Sequence, residues 1–586
     1  MDRGINRVEI DPVRLEIIRS GLQSIPDLIE ADLMRTAYSP LVYEYKDYAV
    51  GLVDGAGRHI SVATHGATGL LMNMLGLAVR DGIKIYGGEN MYPGDVIMTN
   101  YAGTMGQHLN NVVMYTPVFG ASDRPVAFMC VNVHWVDVGG TYPGSCIGTD
   151  TTELIQEGLQ LRSVKLFRRG ELIEEVLRIV EYNTRLPEMV LGDLWAQHAG
   201  CVKGKQMFEQ LMKRFGEDVL FTAITQIWRN SEVAARDAVR AIPEGTYEAT
   251  SFLDDDGVDR GKRIPVHVKV TVKDGEFIVD FSGCGDQVRG PFNAGIEGGA
   301  VSAACIAFKY LFTPDEAVNE GGLAPVKVVV PPGKFLSAVG NAPLGLYQTP
   351  QPTVVDTIIA ALAPVLPYRV AAGHHGAHDV HGFSGKNPAT GNVFSFFDTA
   401  HGGWGASAHG DGSGPFKTLR HADNKDIPIE TVEALYPLRV EHVRFRRDSG
   451  GPGRHRGGLG IDKTIRALAP VYVTLAFERF HCPPWGLNGG HPGDPAHAEI
   501  ETAAAGVRSV LKESRIPLQR DDFVHLHTGA GGGYGNPAER APDDVCLDVR
   551  RGFVSREQAK TVYRVVIDAE GRVDSKATSA LRGVSA

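Results

Sequence analysis

The chain has 586 residues, 43% hydrophobic and 22% charged, with 70 glycines and 33 prolines, the composition of a large globular protein rich in turns and short strands. At about 100–200 residues per domain, such a length implies roughly three or four packed units. The formal net charge of -10, without an acidic or basic block, excludes a phosphate-tracking nucleic-acid surface and a polybasic membrane patch.

Apolar residues recur at helical spacing from Pro12 to about Arg35 (Leu15, Ile18, Leu22, Ile25, Leu28, Ile29, Leu33), and strand-like alternation follows Tyr45. A second helix is predicted from about Ala67 to Tyr86, closed by Gly87-Gly88, after which Pro93-Gly94-Asp95 turns into a strand at Val96-Ile97-Met98-Thr99. Short strands are expected at 111–118 and 125–134. The stretch 188–240 reads as helical and 246–283 as a meander, with Asp255-Asp256-Gly257 and Lys273-Asp274-Gly275 as hairpin turns. The most apolar window, Thr353 to Gly373, is interrupted by Asp356, Pro364 and Pro367, so it predicts a core helix followed by a strand instead of a membrane span of about 20 residues. Beyond Pro437 come short β runs (Val440 to Arg446, Val471 to Phe477, Phe523 to His527), a helical Arg556 to Tyr563 and a last strand, Arg564 to Ile567. The fold class is therefore α+β and multidomain, with mixed sheets of short strands, Gly-rich loops, a helical segment in the middle and a β-rich C-terminal part. The expected division is an N-terminal α+β domain (1–186), a helical segment (187–243), a central α/β domain (244–436) and a Gly-rich β domain with a C-terminal helix (437–586).

Met1-Asp2-Arg3-Gly4 lacks the apolar stretch and cleavage site of an export signal. The seven cysteines are scattered and never spaced Cys-x-x-Cys, which fits a reducing compartment, the cytoplasm, and argues against a zinc ribbon. No phosphate-binding Gly-x-x-x-x-Gly-Lys-Ser/Thr loop and no Gly-x-Ser-x-Gly elbow is present. Gly529 to Gly535 runs into Asn536-Pro537 instead of a helix, so it reads as a close-packed turn. The loop Asp448 to Gly458 carries two arginines suited to an anion, but a structural glycine hairpin is the plainer reading.

The residues with chemistry cluster early: Asp47, His65, His108, Asn111, His134 and Asp137. His108-Leu109-Asn110-Asn111 leads into an apolar strand, and His134-Trp135-Val136-Asp137 ends one. Strand ends can aim imidazoles and carboxylates at one point, a donor set suited to Zn or Mn. The plain alternative is that these histidines are core or turn residues bonded to backbone, since a chain with 20 histidines produces such pairs by chance.

Several segments resemble one family. They include Met34-Arg35-Thr36-Ala37-Tyr38-Ser39-Pro40, Lys46-Asp47, Pro93-Gly94-Asp95-Val96, His134-x-x-Asp137-Val138-Gly139-Gly140 and Gln156-Glu157-Gly158-Leu159. Asp280-Phe281-Ser282-Gly283, Arg289-Gly290-Pro291-x-Asn293-Ala294, Pro484-Trp485-Gly486-Leu487 and Gly531 to Pro537 continue the match. In this order, over nearly the whole length, they resemble hydantoinase B proteins. The resemblance implies a B-type subunit that works with an A-type subunit of actin-like fold, which binds ATP and Mg. It further implies a divalent metal, Zn or Mn, at Asp47, His108, the aspartate of the His-x-x-Asp loop, and His134. Here that loop aspartate is replaced by Asn111, a neutral and weaker ligand; Asp137 or His65 would then compensate.

For the reaction, the resemblance implies ATP-dependent hydrolysis of a cyclic amide such as a hydantoin, 5-oxoproline or a lactam. Such rings re-close at high effective molarity, so opening them calls for coupling to ATP. Two alternatives stay open: carboxylation of a ketone of the acetone or acetophenone type, with bicarbonate, and a non-catalytic scaffold role in the same hetero-oligomer. No catalytic residue beyond the metal set is assigned.

Overall fold

The computed structural model describes residues 10–583, apart from the side chains of 68–72; Met1–Gly4, expected to carry no export signal, lies outside these residues. The first helix, Pro12–Thr36, starts where Asp11 accepts the N–H of Arg14 at 3.0 Å and Pro12 presets the first turn. Its buried stripe, Ile18, Leu22, Ile25, Ile29 and Leu33, follows the period of a helix with one apolar face.

That stripe packs on an antiparallel sheet of seven strands: β1 (Tyr48–Asp54), β2 (His59–Val62), β3 (Val96–Thr99), β4 (Asn111–Phe119), β5 (Pro125–His134), β6 (Val164–Arg168) and β7 (Glu171–Leu172). Their order is β2-β1-β5-β4-β3-β6-β7. Every residue of β1 is buried because both faces of the sheet are covered. Helix Pro187–Phe215 lies on one face, where a Cβ on Gly204 would meet Met129; helix Thr68–Tyr86 lies on the other, where one on Gly51 would meet Leu75. Helix Glu217–Arg240 completes the helical middle.

The meander expected after residue 246 is β8 (Gly245–Leu253), β9 (Ile264–Lys273) and β10 (Glu276–Asp280), extended by β11 (Val326–Val329), parallel to β10. Asp274 and Gly275, with φ of 53° and 75°, make the tight β9–β10 turn. Asp255-Asp256-Gly257 is not a hairpin turn: residues 254–263 form a longer loop in which both carboxylates accept backbone N–H groups, among them those of Gly257 and Val258. Alternate residues of β9 are buried against helices Ser302–Phe312 and Gln351–Leu362.

The remaining strands are β12 (Val380–Lys386), β13 (Val393–Thr399), β14 (Leu438–Phe445), β15 (Ile461–Ala467), β16 (Val471–Ala476), β17 (His497–Thr502), β18 (Gly506–Val510), β19 (Lys512–Leu518) and β20 (Phe523–His527). They form two sheets, ordered β13-β12-β16-β19 and β14-β15-β20-β17-β18. Apolar residues of both join the core of the first sheet. No strand lies between helix Gln351–Leu362 and Gly373, where one is expected. Residues 371–379 run extended without a ladder, and their N–H groups bond to glycine loops instead, as Gly373 does to Trp485 O and His375 to Gly403 O. The last expected strand is reduced to a bridge between Ile567 and Val573, and a further helix, Ser575–Arg582, follows it.

The glycine runs are packed backbone against backbone. A Cβ on Gly531 would lie 1.9 Å from Trp404 O, and one on Gly532 2.0 Å from Trp485 O. A Cβ on Gly450, Gly451, Gly457 or Gly458 would meet backbone at 1.9–2.5 Å, so both loops are close-packed structural turns instead of anion cradles.

Candidate metal centre

Three neighbouring strands of the first sheet end at one point. Asn111, the first residue of β4, pairs with His134, the last of β5, so their side chains leave the same face. Tyr48 pairs with Val133, and the residue before it, Asp47, accepts the His134 N–H through its carbonyl at 3.0 Å. Lys46 holds a φ of 65°, an uncommon conformation for a residue with a Cβ. Asn424 keeps it there by donating to the carbonyls of Lys46 (2.9 Å) and Tyr45 (3.2 Å). His108 stands in the turn ahead of β4, with Nδ1 3.1 Å from the Gly345 carbonyl. Only an N–H can meet that carbonyl, so Nε2 keeps its lone pair.

These four side chains line a cavity of about 10 Å3, roofed by Tyr347, His378, Arg420 and His421. Asp47 Oδ1, His108 Nε2, Asn111 Oδ1 and His134 Nδ1 are buried and have no hydrogen-bond partner. The Asn111 amide is oriented by its own donors, since Nδ2 donates to Gln107 Oε1 (2.9 Å) and Tyr347 Oη (3.2 Å). Three orphaned acceptors and an unpartnered His134 nitrogen on one cavity would be costly in a dry interior, and they fit a divalent cation that takes oxygen and imidazole donors. Burial lowers the pKa of both imidazoles, that of His108 far below its usual value with His134 adding to the effect, so each is a neutral ligand at pH 7. Burial raises the Asp47 carboxyl against the pull of His134 and Arg420.

A second grouping shares the two histidines. His108, His134 and Cys146 offer atoms within 4.8 Å of one another, and Cys146 Sγ is 3.7 Å from His134 Nε2. Burial, with Glu157 nearby, holds the Cys146 thiol well above its usual range. Asp47 is not within that grouping, but it and Asn111 each present an orphaned oxygen on the same cavity, so two donor sets share the two histidines.

Asp137 is not at this cavity. Gly139 and Gly140 turn the chain with φ of 85° and 78°, and the Asp137 carboxylate pairs with Arg185 at 2.9 Å while accepting the Gly144 N–H at 3.0 Å. His65 is exposed and lies 3.6 Å from Asp423. Sequence reasoning does not reach the roof. One signal for it exists, the run His374-His375-Gly376-Ala377-His378-Asp379-Val380-His381 with four histidines in eight residues; Tyr347 and Arg420 have no local signature.

Behind the site, Glu157 Oε1 accepts the N–H groups of Leu344 (2.6 Å) and Gly345 (2.7 Å), so one residue, Gly345, links it to His108. Its Oε2 has no partner, and burial pushes the carboxyl up to about 8. A folded value above the ordinary 4.5 gives stability that is whole below that pH and lost as pH rises towards about 8. Glu157→Gln, which mimics the neutral acid, is therefore expected to match the wild type in apparent Tm at pH 5 and exceed it at pH 8. The gain is on the order of 4 kcal/mol; equal slopes from pH 5 to 8 would refute it.

No helix among the described residues is long and apolar enough to cross a membrane. Residues 11–537 match the family model for Hydantoinase B/oxoprolinase. The chain is 30% identical to a protein of Pseudomonas sp. (strain NS671) whose name makes it the B component of a D-/L-hydantoinase, over 98% of each chain. It is 26% identical to the ATP-dependent caprolactamase of Pseudomonas jessenii in a crystal structure matched with a TM-score of 0.89 over 98% of this chain and 100% of that one. It is also 27% identical to a 5-oxoprolinase of Dictyostelium discoideum, of which it spans 41%. An acetone carboxylase structure shares the fold, with a TM-score of 0.88 at 18% identity over 98% of this chain and 83% of that one. The chain belongs to the hydantoinase B/oxoprolinase family.

Proposed function

We propose that this chain is the B-type subunit of an ATP-dependent enzyme that opens a cyclic amide of the hydantoin, 5-oxoproline or lactam type. It acts in a hetero-oligomer with an A-type subunit that binds ATP and Mg. The observation that carries the reading is the set of four buried, unpartnered donor atoms on one cavity, in a chain related along its whole length to the B component of a hydantoinase and to one component of a caprolactamase.

Asp47, His108, Asn111 and His134 would hold Zn or Mn, which when bound supplies Lewis acidity towards a carbonyl oxygen or water. The chain's own part is positional. Gly345 O fixes the His108 tautomer so that Nε2 faces outward as a lone pair, and Tyr347 Oη and Gln107 hold the Asn111 oxygen in place. The seven free cysteines support the cytoplasm as its compartment.

The complex with its A-type partner, given ATP, Mg and one of hydantoin, 5-oxoproline, caprolactam or acetophenone, with and without labelled bicarbonate, tests this. A cyclic amide is expected to release ADP and ring-opened product without bicarbonate. Turnover confined to the ketone, with label in the product, would replace the reading with carboxylation.

A further inference from the structure

Four arginines are buried among the described residues: Arg420, Arg456, Arg479 and Arg540. Three of them pair with carboxylates, Arg456 and Arg540 with Asp548 at 3.2 and 2.8 Å and Arg479 with Asp356 at 2.7 Å. Arg420, 1% exposed, has no such partner. Its Nη1 donates to His378 Nε2 at 2.8 Å, while Nε and Nη2 are both without a hydrogen-bond partner. Those two nitrogens make up one edge of the guanidinium, and their parallel N–H bonds match the two oxygens of a carboxylate. The unfilled hydrogen-bonding capacity is thus a whole recognition edge.

Arg420 lines the cavity that Asp47, His108, Asn111 and His134 line from the other side, yet it makes no ion pair with Asp47. Because His378 Nε2 accepts from Arg420, its proton sits on Nδ1, which also lacks a partner. Three donors therefore stand on the roof of a cavity whose floor carries the acceptors Asp47 Oδ1, Asn111 Oδ1 and His108 Nε2. A buried cation with no carboxylate in ion-pair contact is expensive to keep, Asp47 acting on it only across the cavity, and an anion arriving with the reaction would pair with it directly.

We propose that the Nε/Nη2 edge of Arg420, with His378 Nδ1–H beside it, binds a planar carboxylate-type oxyanion: bicarbonate or the carboxyl group of a substrate or product. This rests on the cavity being the reaction site. The two parallel donors of that edge match the two coplanar oxygens of such a group.

The test is titration of the full-length protein with sodium acetate, sodium bicarbonate and inorganic phosphate by calorimetry, with thermal shift alongside. Wild type is compared with Arg420→Met and Arg420→Lys, and bound metal is measured in each. Acetate or bicarbonate is expected to bind saturably and raise the wild-type Tm, with phosphate weaker. Arg420→Met should weaken binding by about 10-fold or more, and Arg420→Lys, which keeps the charge and loses the edge, should fall between. Preference for bicarbonate would mark a co-substrate, and preference for acetate a substrate-derived carboxyl; both support the site. Metal content should stay as in wild type, and Tm without anion should hold or rise, because an unpaired buried cation is removed. Affinities unchanged in Arg420→Met, phosphate as the tightest ligand, or a variant Tm lower by several degrees without anion would each overturn the proposal. Were the metal reading alone to fail, metal would be absent from all three proteins while the Arg420-dependent affinity remained.

Discussion

Replacing His108 and His134 together by alanine is expected to empty the cavity of its bound divalent cation and lower ATP-dependent turnover of the complex by about 100-fold or more, the scale on which active-site electrostatic donors act. The two rings lie 4.9 Å apart, edge to face, and each presents a buried nitrogen without a partner. Because both imidazoles are buried and neutral, their loss removes ligands without stranding a charge, so the variant should stay folded. Elemental analysis of wild type and variant, after circular dichroism has confirmed folding, reads the outcome. Near-stoichiometric Zn or Mn in wild type alone is the expected result; equal metal in both proteins would move the site elsewhere, and no metal in either would mean that Asn111 marks a cavity without a cation.

Asp356→Ala is expected to have the largest effect on stability, on the order of 3–5 kcal/mol. Asp356 is buried and accepts from Arg479 Nη1 at 2.7 Å and Trp485 Nε1 at 2.9 Å, with His374 Nδ1 at 3.1 Å. Burial alone would raise its carboxyl, but Arg479 and His374 together bring it to about 2. Alanine leaves the Arg479 guanidinium buried and uncompensated. Since the folded value lies below the ordinary 3.8, this contribution is present above that pH and fades as pH falls towards about 2. A chain of this size is liable to unfold irreversibly, so the measurement is apparent Tm at a fixed scan rate. A loss of several degrees at pH 7 that shrinks towards pH 3 is expected; a variant as stable as wild type at pH 7 would show that Arg479 finds another partner.

Much of the first sheet is legible in the sequence because its signals are local. Pro93-Gly94-Asp95 announces the strand Val96–Thr99, and the apolar run after Asn111 is a strand buried on both faces. Asp47, His108, Asn111 and His134 stand out because each sits where a strand meets a loop. Asp137 has the same signature, yet Gly139 and Gly140 turn its loop towards Arg185, and nothing nearby in sequence foretells a guanidinium at residue 185. The segment after helix Gln351–Leu362 misleads because its apolar residues predict a ladder, whereas its backbone partners are glycine loops near residues 403, 485 and 532. Tyr347, His378 and Arg420 belong to contacts closed over long stretches of chain, which no local window contains.

The walls of the cavity are also made at different times. Its four floor residues have all been synthesised once His134 is added, but Gly345 and Tyr347, which orient His108 and Asn111, come later, and Arg420, His421 and Asn424 roughly 290 residues later, an interval of about 15–60 s at ordinary rates of translation. During that interval a nascent chain with its first sheet assembled would hold Asp47, His108, Asn111 and His134 open to the cell's pool of ions. A cation taken up at that stage would be selected by what is abundant while the ribosome is still at work, before the roof is in place.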